Sequence, residues 1–120
     1  MSHYYSLIFS FFMLLMAPVA AEWGSDIMSI DAVKHWEMDD RVVHVRGTII
    51  ELIGTEGFRM RDDTGELKVH YTNHELRDFP FHTGERVEVR GRIEREHRHH
   101  GWDLEATAVK LHDDATIGYY

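Results

Sequence analysis

VHVRGTI at residues 43–49 and VEVRGRI at residues 87–93 are two copies of one pattern, Val-x-Val-Arg-Gly-x-Ile. Apolar and polar residues alternate in each copy, which is the period of a strand with one buried face. Gly47 and Gly91 occupy the position where the next inward side chain should be. A glycine inside a strand marks a bulge, a bend or the close approach of another backbone. Two such strands in a short chain predict a sheet that curls and closes on itself.

The same alternation, read outward from the two copies, predicts five strands and two short helical segments. The turn Asp62-Asp63-Thr64-Gly65 separates two of the strands, because Asp favours the start of a turn and Gly its end. The expected elements are, in chain order, a helix at 29–36, strands at 41–52, 58–61 and 66–71, a helical turn at 73–79, and strands at 86–94 and 102–111.

Three strands, a helical connection and two further strands are the order of an OB-fold, a five-stranded Greek-key barrel. The prediction is therefore an all-β domain over residues 22–112, with a loose tail at 113–120. An internal duplication is the rival explanation of the repeated pattern. Nothing outside the pattern repeats, which argues against duplication.

The N-terminal segment has the features of a signal peptide. Residues 7–16 are almost entirely apolar, and Val19 and Ala21 are small residues at the positions that a signal peptidase reads. Cleavage is expected after Ala21, with export to the periplasm and no stable membrane insertion afterwards. A membrane helix needs roughly 20 apolar residues, more than this run supplies. An uncleaved anchor is the alternative, since the extreme N-terminus carries no Lys or Arg.

Composition limits the possible functions. The chain has no cysteine, which excludes thiol chemistry, disulfides and cysteine-based metal sites. Its net charge of −8 lies entirely after residue 21. An acidic domain is a poor partner for nucleic acid, whose phosphates are bound mainly by Lys and Arg. No phosphate loop, serine elbow or His-Glu-x-x-His helix is present, and the paired aspartates fit turns, so no enzymatic activity is predicted.

Most of the mature chain resembles a known family. The stretches that carry the resemblance are SIDAVKHWEMDDRVVHVRGTIIELIG, FRMRDDTGELKVHY, GERVEVRGRIE and WDLEATAVKL. They are similar to the bacterial OB-fold (BOF) family of small periplasmic stress-tolerance proteins. The resemblance implies a signal peptide, an N-terminal helix, no assigned enzymatic activity, and a small molecule or cation as ligand. The chain departs from the family in the helical connection and in the last hairpin, so neither loop inherits a ligand site.

The last hairpin, residues 94–101, holds the candidate metal ligands. His97, His99 and His100 are imidazoles of the kind that bind zinc, copper or nickel. His97 and His99 would share one face of an extended hairpin. Arg95 and Arg98 would repel a cation, and a solvated, flexible loop is the alternative. A divalent metal is therefore a possible cofactor, and no other cofactor is predicted.

The outward positions of the second and third strands form a candidate ligand-binding patch. Arg59, Arg61 and Lys68 lie there, and Trp102 is a candidate anchor at the mouth of the barrel. No aromatic residue alternates with the cations, so the stacking surfaces that single-stranded nucleic acid needs are missing. The structural alternative is that these arginines pair across strands with Glu66, Glu88 or Glu94.

Histidine content raises a second hypothesis, a response to acid. Of the ten histidines only His3 precedes Ala21, so protonating the remaining nine would move the formal charge from −8 to about +1. Surface histidines titrate in any protein, and that is the simpler interpretation. The sequence predicts a periplasmic binding module, and the family resemblance links that module to stress tolerance. The alternative is a protein-interaction module that engages a partner in the cell envelope.

Overall fold

The structure, a computed structural model, describes residues 27–37, 41–94, 101–112 and 116–118. The predicted signal peptide lies outside these residues. Within them the chain forms seven strands and two short helices. In chain order these are β1 (Ile27–Met28), α1 (Ile30–Lys34), β2 (Val42–Ile53), β3 (Gly57–Asp62), β4 (Gly65–Tyr71), α2 (His74–Asp78), β5 (Arg86–Ile93), β6 (Leu104–Leu111) and β7 (Thr116–Gly118).

Five of these strands close into a barrel. The strands β2, β3, β4, β6 and β5 are neighbours in that order, and β5 pairs back with β2 from Val42 to Thr48. Every pairing in the ring is antiparallel except β4 with β6, which is parallel. The predicted OB-fold is confirmed, with each of the five expected strands forming a wall of the barrel.

Two further strands extend the sheet beyond the predicted set. β1 pairs in parallel with the start of β2, where Ile27 lies opposite His44. β7 pairs antiparallel with the end of β6, although the sequence indicated a loose tail at residues 113–120. The reason lies in β6, which pairs with β4 only from Leu104 to Ala106. Beyond Ala106, the edge of β6 that faced β4 has no strand from the barrel to pair with, and β7 pairs with that edge from Ala108 to Lys110.

The two pattern glycines lie where other backbone comes very close. Gly47 is opposite Val87 on β5, and Gly91 is opposite Val43 on β2. A Cβ added to Gly47 would lie 2.5 Å from the Arg61 carbonyl oxygen, and one added to Gly91 would overlap the Glu105 carbonyl oxygen. β5 and β6 shift register at Gly91, and β2 and β3 shift between Ile49 and Glu51. The glycines therefore permit the close strand approach predicted from the repeated pattern.

The barrel interior is filled by alternate residues of every strand. Three aromatic rings lie together, with centroid distances of 5.8 Å for Phe58 and Tyr71 and 5.5 Å for Phe58 and Phe81. Burial raises the pKa of Tyr71 to about 12. Leu111, at the end of β6, is only partly buried and packs against this core. The fully buried side chains include Ile30, Val33, Val45, Ile49, Phe58, Met60, Leu67, Val69, Leu76, Val89 and Leu104.

Helix α1 closes the end of the barrel at the turn between β3 and β4. Ser29 caps the helix by accepting a hydrogen bond from the Ala32 backbone N–H at 3.1 Å. The Ile30 N–H donates to Asp62 Oδ2 at 2.9 Å, and the Asp31 N–H donates to Thr64 Oγ1 at 2.9 Å. The first free N–H groups of the helix are thus bound by the turn, which fixes α1 on β4.

Helix α2 is the single turn expected between β4 and β5. Asn73 caps it by accepting a hydrogen bond from the Leu76 N–H at 3.0 Å, and Leu76 is buried beneath it. None of the helices in the described ranges is long and apolar enough to cross a membrane.

Candidate functional site

The outer faces of β3 and β4 carry the predicted cationic patch. Because the alternate residues Phe58 and Met60 point into the core, Arg59 and Arg61 point outward. The register places Arg59 opposite Lys68 and Arg61 opposite Glu66. The strand period alone was therefore sufficient to predict which side chains share this surface.

Trp102 joins this surface from the loop that precedes β6. Its ring centroid lies 4.9 Å from that of His70, with the two planes tilted by 32°, and Lys68 Nζ lies 4.9 Å from its ring centroid. A Cβ on Gly57 would lie 2.6 Å from Trp102 Cζ3, so the indole rests directly on the glycine backbone. The missing side chain of Gly57 provides the space that the indole occupies.

Asp103 fixes the position of Trp102. The Lys68 N–H donates a hydrogen bond to Asp103 Oδ2 at 3.0 Å, and the Asp103 N–H donates to the Lys68 carbonyl oxygen at 2.8 Å. Two hydrogen bonds to one residue of β4 hold the loop against the barrel. The structure therefore brings together Trp102 and Lys68, two of the candidate ligand-binding residues named from the sequence.

Arg59 and Arg61 differ in their surroundings. Arg59 Nε donates to Glu51 Oε1 at 3.0 Å, and its Nη1 lies 3.8 Å from Glu66 Oε1. Across the part of the chain that the structure describes, Arg61 has no carboxylate within 4.0 Å. The predicted cross-strand pairing is thus found for Arg59 with Glu66. Glu88 instead lies on β5, close to Arg46, on a different wall of the barrel.

The sequence singled out Trp102 as a candidate anchor at the mouth of the barrel but did not predict how close it lies to these cations. As expected, no aromatic residue alternates with the cations along their strands, because Phe58 and Tyr71 are buried. Trp102 instead reaches the same outer face from a loop distant in sequence, and its ring lies beside that of His70. Strand parity cannot predict where a loop side chain folds back. The available signal was Gly57, whose lack of a side chain opposite His70 leaves room for a ring.

Two carboxyl groups meet at the end of β4 that lies near Trp102. Glu105 is opposite His70 in the β4–β6 register. A hydrogen bond with the Glu94 side chain raises the pKa of Glu105, and burial and the charge of Glu94 act in the same direction. Arg92 and His70 oppose the shift without cancelling it. A positively charged group beside the two carboxyl groups would relieve this repulsion.

His97, His99 and His100 lie outside the described residues. In the ranges that are described, no three His, Asp or Glu side chains are grouped closely enough to hold a metal ion. The metal site therefore stays a prediction from the sequence.

Comparisons with known proteins agree with the barrel. A family model described as "Bacterial OB fold (BOF) protein" matches residues 20–111. No curated protein sequence matches the chain.

Solved structures show the same fold at low sequence identity. The hypothetical protein ygiW from E. coli is 18% identical with a TM-score of 0.59, over 72% of this chain and 90% of that one. A chain of the S. pombe Stn1-ten1 complex is 12% identical with a TM-score of 0.57, over 74% of this chain and 77% of that one. The S. pombe telomere capping protein Ten1 is 12% identical with a TM-score of 0.56, over 73% and 81%. At these identities the similarity concerns the fold alone.

Proposed function

The chain belongs to the bacterial OB fold family, and we propose from that premise that it is an exported periplasmic protein that binds a small molecule and catalyses no reaction. Export is supported by the apolar run at residues 7–16 followed by Val19 and Ala21. A role in stress tolerance is part of the proposal and is supported only by the family resemblance. It predicts that cells lacking the protein grow more slowly than wild type under an envelope stress, and equal growth under all stresses tested would contradict it.

The observation that carries the binding proposal is the placement of Trp102. An indole that is only partly buried lies on the outer face of β4, with a histidine ring beside it and a lysine ammonium group over its ring. This face of the OB-fold is the one that commonly binds ligands. The arrangement combines an aromatic ring with nearby cations, which suits a small molecule with a ring and a polar or anionic substituent.

Nucleic acid is a weaker candidate for the same surface. Trp102 supplies one stacking surface, whereas single-strand binding uses several along a basic groove. The net charge of −8 opposes the approach of a phosphate backbone. The proposed ligand is therefore a small molecule.

Native mass spectrometry of untagged protein isolated from the periplasm tests the binding proposal. The wild-type protein should carry a bound mass, and Trp102→Ala should lose it. Trp36→Phe is the matched control, because Trp36 also lies under a cation, with Arg41 Cζ 4.2 Å from its ring centroid, and contacts the core. A bound mass that survives Trp102→Ala would contradict the proposed site. If the wild-type protein carries no bound mass, the proposal that a ligand stays bound during isolation is contradicted.

A bound cation is the second candidate, favoured by the contact between Glu94 and Glu105. The two carboxyl groups lie at either end of the segment that contains His97, His99 and His100. Isothermal titration calorimetry with zinc and with copper should show tight binding to wild type, and the triple alanine variant at 97, 99 and 100 should lose it. His82→Ala, an exposed histidine elsewhere, is the control. Equal weak binding by all three proteins would remove the metal hypothesis.

The protein-interaction alternative has less support. A patch of exposed apolar residues near Tyr119 and Tyr120 would favour it, but both of these residues lie outside the described part of the chain. Among the residues that the structure does describe, the large hydrophobics with high exposure are Val42 at 49% and Leu52 at 42%. They lie ten positions apart on β2 and form no continuous patch of the kind that marks an interface.

A further inference from the structure

A cavity lies on a different wall of the barrel from Trp102. It has a volume of about 260 Å³ and is lined by residues of β2, β5 and β6 and by His112. An adjoining cavity of about 360 Å³ shares Arg86, Leu111 and His112 with it and extends to Gly84 and Glu85. The side chains that carry charge or titrate in the first cavity are Arg46, Arg86, Glu88, Lys110 and His112.

Strand register explains why these charges meet. Arg46 on β2 is opposite Glu88 on β5, and Glu88 is opposite Lys110 on β6, so the three form one row across three strands. The His112 N–H donates a hydrogen bond to the Arg86 carbonyl oxygen at 3.1 Å, which places His112 beside the next row. Three permanent cations thus line one small cavity in a chain whose net charge is −8.

Glu88 is the exception in this cavity. It is the buried charged residue of the described chain, with 7% of its surface exposed. The Arg46 Nη2 atom lies 3.9 Å from Glu88 Oε1, which is too long for a hydrogen bond. Within the described residues, Oε1 has no hydrogen-bond partner. Burying a polar oxygen without a donor is costly, so the site is incomplete as it stands.

We propose that this cavity binds a small phosphorylated polyol such as a sugar phosphate. The cations would contact the phosphate group, and Glu88 would accept a hydrogen bond from a hydroxyl group of the ligand. Val87 and Leu111 also line the cavity and offer apolar surface to the C–H groups of a sugar ring. The volume of about 260 Å³ is slightly below that of typical ligand pockets and suits a ligand of about one sugar ring.

Glu88 determines the expected specificity. A bare phosphate ion would gain from the cations but would be repelled by the carboxylate, and it offers Glu88 few donors. A neutral sugar would satisfy Glu88 but would make no charge-assisted contact with the cations. A ligand that has both a phosphate and a hydroxyl group is the class that can contact both the cations and Glu88.

The test is isothermal titration calorimetry with glucose 6-phosphate, inorganic phosphate and glucose at physiological salt. Wild type should bind glucose 6-phosphate at least about tenfold more tightly than phosphate, because the hydroxyl contact with Glu88 adds to the phosphate contact. Glucose should show no measurable binding. The double variant Arg46→Gln/Arg86→Gln should weaken glucose 6-phosphate binding by at least about tenfold, since it removes two charge-assisted contacts.

The variant Glu88→Gln separates a built site from general attraction of anions. It keeps the shape of the side chain and replaces a charged acceptor with a weaker neutral one, so glucose 6-phosphate should lose part of its advantage over phosphate, while phosphate itself binds equally or more tightly. Arg77→Gln, an exposed arginine of α2 outside the cavity, and Trp102→Ala should leave both affinities unchanged. Thermal melting of each variant checks that it is folded, and Glu88→Gln alone carries the test if the double arginine variant is not.

Three results would overturn the proposal. The first is that glucose 6-phosphate does not bind to wild type. The second is equal affinity for glucose 6-phosphate and phosphate in both wild type and Glu88→Gln. The third is an affinity loss in Arg77→Gln as large as in the cavity variant, which would indicate non-specific attraction of anions.

Discussion

The two ends of the hairpin formed by β3 and β4 differ in how well their carboxyl groups are supplied with hydrogen-bond donors. At the turn, Asp62 accepts hydrogen bonds from the backbone of Ile30, Thr64 and Gly65 and from the Thr64 hydroxyl. At the open end, where Gly57 lies opposite His70, the Trp102 ring rests on backbone, and the nearby Glu105 shares a hydrogen bond with another carboxyl group. At the turn, the Asp62 carboxylate accepts hydrogen bonds from four donors. At the open end, the carboxyl groups of Glu94 and Glu105 lie close together and repel each other when both are ionised.

This difference indicates that the turn end contributes to stability and that the open end is the candidate binding site. Burial raises the pKa of Asp62, but the hydrogen bonds from Ile30, Thr64 and Gly65 outweigh it and lower the pKa below its ordinary value. The ionised form of Asp62 therefore stabilises the fold. Glu105 shifts the opposite way, so its ionised form destabilises the fold. Groups that the fold does not satisfy are the ones that a ligand can use, which is why the open end is the better candidate site.

The largest expected effect compares the two glycines of this hairpin. A Cβ at Gly57 would overlap the Val69 carbonyl oxygen and the Trp102 ring, whereas one at Gly65 would make an ordinary contact of 3.7 Å with Ile30 Cγ2. Gly57→Ala should lower the free energy of unfolding by about 3 kcal/mol, because backbone and indole must both move. Gly65→Ala should change it by less than about 1 kcal/mol. Urea denaturation followed by circular dichroism measures both.

The glycine pair also reports on binding. Gly57→Ala should displace Trp102 and abolish the bound mass expected in native mass spectrometry, while Gly65→Ala should retain it. Equal stability of the two variants would show that the close contact at Gly57 is relieved at little cost, and the structural difference between the two ends would then have no energetic meaning.

The next effect in size concerns Asp62. Asp62→Ala should lower the free energy of unfolding by about 2 kcal/mol, because it leaves the donors of the turn and of α1 without their acceptor. Asp62→Asn is the matched control. Its amide oxygen can still accept from Thr64 and Gly65, but its NH₂ group cannot accept from Ile30, so about half of the loss is expected.

Lowering the pH should remove the contribution of Asp62 to the free energy of unfolding in wild type, a contribution that Asp62→Ala lacks at any pH. Since the folded pKa of Asp62 lies below its ordinary value of 3.8, its contribution is fully present above pH 3.8 and is lost as pH falls through the folded pKa. The stability difference between wild type and Asp62→Ala should therefore shrink below pH 3.8. A difference that stays constant down to pH 2 would refute the assignment to the ionised carboxylate.

The contrast between the two ends also marks what sequence reasoning could predict. Strand period, the Asp62 turn and the pattern glycines are local signals, and the barrel, the capped helices and the outward cations followed from them. The placement of Trp102 depends on a loop folding back over Gly57, and the meeting of Glu94 with Glu105 depends on sheet register. The row from Arg46 through Glu88 to Lys110 likewise joins three strands that are distant in sequence. Local patterns do not carry such pairings.

The smallest effect should appear at Glu105, and it has the opposite sign. Glu105→Gln should raise the free energy of unfolding at pH 7 by less than about 1 kcal/mol, since the side chain is partly exposed and solvent weakens the repulsion. The amide can donate a hydrogen bond to Glu94 where two carboxylates would repel each other. Glu56→Gln, an exposed turn residue, controls for the loss of one negative charge from an acidic chain.

The pH dependence of this gain identifies its cause. The folded pKa of Glu105 lies above its ordinary value of 4.5, so the repulsion is present above the folded pKa and is relieved as pH falls through it. The advantage of Glu105→Gln over wild type should therefore disappear by about pH 4.5, while any gain in Glu56→Gln follows the net charge alone. Thermal melting at several pH values measures both. A Glu105→Gln variant less stable than wild type at pH 7 would mean that Arg92 and His70 outweigh Glu94, and that the open end is as well satisfied as the turn.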